Sequence, residues 1–308
     1  MMSKLLRAGV RRYIHNIVFW LALVITGIVA VIGASQARSY YFDDVYCVVE
    51  FIIFAVMISW LIGREYEEGI FRNKVISGHT KGQIYVSELI LGVGSCLLMF
   101  LLFGIIFIVF NSYVFTKVAF GVLAKVFLDV LLVNICFAVI LVTLSCIIPK
   151  RAIVAIVNII LVLGIIFASY SVHTVVVQEE YNLEWEYEEH TVTDEFGTHT
   201  KVTPIEGSEY KVKNPDYIDG PVRTVFETLY DILPYGHITQ YIALTNDWFG
   251  YYYRDSPGVD ITGETSSKDL TVTKDDITEI NSNLIWSVII NGVICAIGYT
   301  CFRKKELR

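Results

Sequence analysis

Arg64-Glu65-Tyr66-Glu67-Glu68-Gly69-Ile70-Phe71-Arg72-Asn73-Lys74 stands between two apolar runs, Val45 to Gly63 before it and Ile84 to Phe110 after it. Each run has about the 20 residues that a helix needs to cross a hydrocarbon layer of roughly 30 Å. A stretch this dense in charge does not stay in that layer, so the chain is expected to leave the membrane at Arg64 and return near Ile84. Working outward, four more runs have the same character: Asn16 to Ala34, Val118 to Ile148, Ala152 to Tyr170 and Leu284 to Phe302. With 55% hydrophobic residues and a mean hydropathy of +0.56, the chain reads as an all-α polytopic membrane protein with six transmembrane helices.

Charge sets the expected orientation. Lys4, Arg7, Arg11 and Arg12 precede the first run, Arg64, Arg72, Lys74 and Lys81 lie between the second and third, Lys150 and Arg151 between the fourth and fifth, and Arg303, Lys304, Lys305 and Arg308 after the sixth. These are alternate ends of the spans, so the positive-inside rule places them all in the cytoplasm, with both termini. The first run is longer than a signal-peptide core, and its removal would leave an odd number of spans, so it is read as a span. On the other side lies the long segment Ser171 to Asn283, which holds 22 of the 31 acidic residues and 7 of the 24 basic ones.

The expected organisation follows. Residues 1–15 are either a cytosolic amphipathic helix, through Leu5, Leu6, Val10 and Tyr13, or a basic flank that orients the first span. Residues 16–170 carry transmembrane helices one to five, with a cytosolic loop at 64–83. Residues 171–283 form a small α+β extracellular domain inserted between helices five and six, and 284–308 are helix six with a basic tail. Within the inserted domain, Tyr181, Leu183, Trp185 and Tyr187 alternate with polar residues as one strand. A turn at Asp194 to Gly197 leads into a second strand to Val202, and Pro221 opens a helix that ends at Pro234. Trp248, Phe249, Tyr251, Tyr252 and Tyr253 form an aromatic cluster suited to the outer leaflet.

Polar residues inside apolar runs are the candidate intramembrane sites: Glu50, Glu88, Lys125 and Asp129. Lys125 and Asp129, four apart, are expected to pair with one another. Asn134, Asn158 and Asn291 lie deeper and are expected to bond between helices. All six cysteines fall in or beside the runs, so no disulfide framework is implied. His190 and His199 lack a ligand spacing, and no metal site is assigned. The sequence has no phosphate-binding glycine loop, no His-Glu-x-x-His and no Gly-x-Ser-x-Gly, so no catalytic residue is assigned either.

On a helix from Arg64 to Val75, Glu65, Glu68 and Arg72 share one face, with Glu68 and Arg72 spaced to pair, and Ile70, Phe71 and Val75 share another. This passage, with the Ile84-Tyr85 start of the third run, six spans, inward termini and the ending Phe302-Arg303-Lys304-Lys305, resembles the ABC type-2 exporter permeases, in particular their bacterial peptide-immunity and drug-export branch. The resemblance implies a membrane subunit in the bacterial plasma membrane that is not itself an enzyme and moves antimicrobial peptides, drugs or lipids outward. It implies partners: a cytosolic ATPase that binds ATP and Mg, this chain holding no cofactor, a second permease copy and membrane lipid, with no nucleic acid. Glu65, Glu67, Glu68, Gly69, Ile70, Phe71 and Arg72 would map onto the helix that touches the ATPase. The alternative is a membrane receptor or scaffold whose outer domain binds a ligand without transport.

Overall fold

The computed structural model describes residues 2–39, 45–112, 118–184, 186–194, 197–205, 210–249 and 274–305. The helices are α1 (Met2–Ile14), α2 (Ile17–Ser39), α3 (Val45–Glu67), α4 (Ile70–Ile76), α5 (Lys81–Phe110), α6 (Phe120–Ile147) and α7 (Arg151–Val176). Four short strands follow, β1 (Tyr181–Glu184), β2 (Tyr187–Asp194), β3 (Gly197–Pro204) and β4 (Tyr210–Lys213), and then α8 (Pro221–Ile232), α9 (Pro234–Phe249) and α10 (Lys274–Lys304).

Six of these helices are long and apolar enough to cross a membrane: Ile17–Ser35 of α2, α3, α5, α6, α7 and Ile277–Lys304 of α10. Each coincides with one of the six apolar runs, and together they fit a multi-pass membrane protein. The perimeter agrees, because Ile17, Ile105, Ile160, Phe167 and Ile285 are all more than half exposed, an arrangement that lipid tolerates and water does not. Inside, Phe51 of α3 stacks on Phe137 of α6 with ring centroids 4.2 Å apart. Asn158 Nδ2 donates to Ser59 Oγ at 2.8 Å and Ser145 Oγ at 3.1 Å, tying α7 to α3 and α6, and Asn291 Nδ2 reaches the Leu132 carbonyl of α6 at 2.9 Å. Asn134 Nδ2 donates to the Val130 carbonyl of its own helix, while Cys96 Sγ of α5 donates to Asn134 Oδ1 at 4.0 Å and to its carbonyl at 3.6 Å, a weaker link between α5 and α6.

α1 buries Leu5, Gly9 and Tyr13, three residues at i, i+4 spacing, and leaves Lys4, Arg7 and Arg11 exposed. α5 starts at Lys81, three residues before the apolar run, because Thr80 and Gln83 form a capping box: the Thr80 hydroxyl accepts from Gln83 N at 3.3 Å, and Gln83 Oε1 accepts from Thr80 N at 3.2 Å.

The chain divides into two compact units, one of residues 1–170 with 230–308, the other Ser171–Leu229. The boundary differs from the expected 171–283, since α9 belongs with the spans. The smaller unit holds two antiparallel ribbons, β1 with β4 and β2 with β3, in place of the single strand expected from Tyr181 to Tyr187. That alternation is divided because β1 pairs with β4, whose four residues are too short to stand out as a period-two pattern. Arg223 of α8 secures the unit's ends by donating to the carbonyls of Val176 at 3.0 Å and Gln178 at 3.3 Å while lying over the Tyr217 ring. The aromatic cluster lies outside the described residues from Tyr251 onward.

At Gly63, a Cβ would lie 2.8 Å from Arg151 Cα, so α3 and α7 touch backbone to backbone there. Gly63→Val is expected to cost about 1–3 kcal/mol, read as a lowered thermal unfolding midpoint of the detergent-purified protein. An unchanged midpoint would refute the close approach.

Candidate functional site

α3 continues as one helix to Glu67, so Arg64 to Glu67 are its last turn. Gly69 then takes a left-handed conformation with φ of 68°, which glycine adopts without steric cost, and α4 begins at Ile70. The helix expected over Arg64 to Val75 is therefore two helices with a break, and its pairing changes. Glu68 does not pair with Arg72; Arg64 Nε donates to Glu68 Oε1 at 2.5 Å, one turn back on α3. Arg151 Nη2 stands 3.2 Å from Glu67 Oε2.

The break sorts the seven expected contact residues by depth. Glu65 and Phe71 are buried, at 4% and 2% exposure, Gly69 and Ile70 are half-buried, and Glu67, Glu68 and Arg72 are exposed. The outward side of α4 also carries Asn73, Val75 and Ile76.

Lys74 is the centre of the buried side. Its Nζ lies 2.5 Å from Glu65 Oε2 on α3 and 2.5 Å from Glu88 Oε1 on α5, while Arg12 Nη1 of α1 stands 2.6 Å from Glu65 Oε1, ion-paired but off the line of a hydrogen bond. Two cations and two carboxylates thus neutralise one another across four elements. All but Arg12 are below a tenth exposed, and there a lone charge costs several kcal/mol. Glu88, one of the candidate intramembrane sites, is fully buried and reaches its neutralising partner only through α4. The Tyr13 hydroxyl faces this group. Burial first, and then the charges of Glu88 and Glu65, push its pKa well above the ordinary tyrosine value, so it stays a neutral phenol.

The apolar half of the anchorage is aromatic. The Phe71 ring stacks on Tyr66 with centroids 4.2 Å apart and faces Phe302 of α10 at 6.3 Å. Tyr66 Oη donates to the Cys146 carbonyl of α6 and accepts from Lys305 Nζ at 2.7 Å; Lys305 also donates to that carbonyl at 3.0 Å. Desolvation lowers the Lys305 pKa to about 8. α4 is therefore bolted to α3 and α5 by charge, with α1 joined to the group through Glu65 of α3, and is packed by Phe71 against α3 and α10, while its other side is open. A cleft of about 230 Å³ beside it is lined by Arg12, Arg64, Glu65, Glu68 and Ile70 among others.

The remaining candidates separate. Glu50 is 5% exposed, and its Oε1 has no hydrogen-bond partner among the described residues. Lys125 and Asp129 do not pair: Lys125 Nζ donates to Asn281 Oδ1 at 2.8 Å, and Asp129 bonds His237 and Tyr241 of α9. The i, i+4 expectation failed because α9 offers Asp129 donors inside the protein while Lys125 is drawn outward. Sequence reasoning missed Lys74, Arg12 and His237, whose partners lie 9 to 108 residues away; for Lys74 the one available signal was an uncompensated Glu88 within an apolar run. Comparison of the chain with protein-family models, with curated proteins and with solved structures finds no match.

Two measurements probe this arrangement. Lys74→Met leaves two buried carboxylates facing each other and is expected to cost about 3–5 kcal/mol. The neutral combination Glu65→Gln, Lys74→Met, Glu88→Gln should recover most of that in thermal unfolding, and a combination no more stable than Lys74→Met would contradict the charge argument. Lys305 should acylate with a midpoint near pH 8, detected by mass spectrometry, ahead of the ordinary lysine value of about 10.4. Because its folded pKa is lowered, the ammonium disfavours the fold below about pH 8 and is relieved as pH rises toward the unfolded value. A midpoint near 10 would overturn this assignment.

Proposed function

We propose that this chain is the membrane-spanning permease subunit of an ATP-driven exporter, and that α4 receives the motion of a cytosolic ATPase. The observation that carries the reading is the two-sided character of α4. One side is fixed to three elements through Lys74 and Phe71, and the other presents Arg72, Asn73, Val75 and Ile76, the last 72% exposed. A load on the open side has a stiff route into the spans, since moving α4 alone would strand buried charges.

Three further points support it. The positive-inside pattern assigns α4 to the cytoplasm with both termini. The chain lacks a nucleotide-binding loop, so ATP would be bound by a partner. Its resemblance to ABC type-2 permeases rests on this same passage. In this reading a second permease copy completes the pathway in a bacterial plasma membrane. In the same reading the acidic unit Ser171–Leu229 faces the outside of the cell, where it suits a cationic peptide as cargo.

Arg72→Glu with Ile76→Glu changes only exposed side chains. It is expected to reduce co-purification with the proposed cytosolic ATPase partner by about tenfold or more, through a lost interface anchor, while the thermal unfolding midpoint stays put. Full ATPase recovery and unchanged export by that variant would sink the proposal.

A further inference from the structure

At the end of the bundle opposite α4, α9 inserts among the spans, and Tyr235, His237, Ile238, Thr239, Gln240 and Tyr241 are all buried. His237 is wholly enclosed with both ring nitrogens engaged. Nε2 lies 2.7 Å from the Asp231 carbonyl, which has no hydrogen to give, so Nε2 carries a proton. Nδ1 lies 3.0 Å from Asp129 Oδ2, and that same oxygen accepts the Tyr241 hydroxyl at 2.7 Å. Burial and then the Asp129 charge raise the Tyr241 pKa, so its hydroxyl stays protonated and donates. The Nδ1 to Oδ2 contact is then attractive only with one further proton between the two atoms.

Ser287 Oγ also approaches Nδ1, at 3.2 Å. Ser287 and Asp129 therefore share one ring nitrogen. A nucleophile–base–acid relay needs them on opposite nitrogens, so these residues are not a hydrolytic triad.

We propose that Asp129 and His237 form a binding site for one proton, and that this proton fastens α9 to α6 and α10. Removing it sets two lone pairs against each other at 3.0 Å and leaves a net negative charge at 0% exposure. Among the described residues, the groups around the pair supply no substitute cation. On α6, Lys125 is bonded to Asn281; on α10, Glu279 and, at the end of α8, Asp231 act on Tyr230 as negative charges; α3 and α7 present the Phe51 and Tyr170 rings to Tyr235.

The seat is also suited to separation. Gln240 Oε1 accepts from Asn283 Nδ2 at 2.5 Å, and Asp129 Oδ1 and Asn283 Oδ1 have no hydrogen-bond partner among the described residues. Polar groups of this kind are satisfied by water once a helix withdraws, whereas an apolar seat is not. The site stands on this geometry and needs no ATPase partner. Its sign is fixed: α9 is held while the proton is bound and released as pH rises.

The test places a reporter thiol at Ile238, 4% exposed and next to the pair. Ile238→Cys protein in vesicles is treated with a membrane-impermeant maleimide across pH, and labelling at the six native cysteines is subtracted using the chain without the substitution. Dividing by the rate in denatured protein at the same pH cancels the reagent's own pH dependence. The expected result is a normalised rate that rises about tenfold or more between acid and alkaline pH, as for a local opening. With Asp129→Asn or His237→Gln added, the rate should lose that pH dependence. A flat profile in the chain with the native pair overturns the proposal without reference to either variant, as does an Asp129→Asn chain that keeps the pH dependence.

Discussion

A charge inside an apolar bundle has to be neutralised by a charge from somewhere else in the chain, and the position of Lys74 between Glu65 and Glu88 shows how far that constraint reaches. The two carboxylates belong to consecutive spans, α3 and α5, and the ammonium to the short helix between them. Arg12 extends the group to α1. Such a group adds little net stability over apolar packing, but it makes every member's displacement expensive, because the partner left behind is buried and unpaired. Four elements are thereby held to one arrangement, and a seven-residue helix too short to be stable by itself acquires a fixed place.

The opposite end of the bundle meets the same constraint differently. Asp129 is neutralised by His237, whose charge is itself conditional on a proton, while the clamp around Lys74 pairs groups held in fixed contact. One end is built from lysine and arginine against carboxylates and is stiff. The other depends on histidine and is backed by hydroxyls and amides. In an exporter, that asymmetry would put the rigid end where force enters and the conditional end where the pathway opens.

The six apolar runs, the proline-marked helix after Gly220 and the charged passage between α3 and α5 were legible in the chain, since length, hydropathy and proline placement are local properties. The passage was misread in one respect. Helical spacing made Glu65, Glu68 and Arg72 one face, but the helix breaks at Gly69, and α4 beyond the break sets Lys74 against the buried Glu65. The local pairing expected of Lys125 and Asp129 likewise gave way to partners on other elements.

Sequence alone therefore determined that this is a six-span helical membrane chain with a charged connection between its second and third spans, because each span is recognisable from its own residues. Tertiary structure decided which charges of that connection are available to a partner and which are locked inside, and it recruited α9 from the inserted segment into the bundle. Those outcomes depend on which distant side chain arrives to neutralise each buried charge: Lys74 for Glu88 and His237 for Asp129. These partners stand 14 and 108 residues apart, at no spacing that a single helix or strand would pair, and only the packed helices bring them within hydrogen-bonding distance.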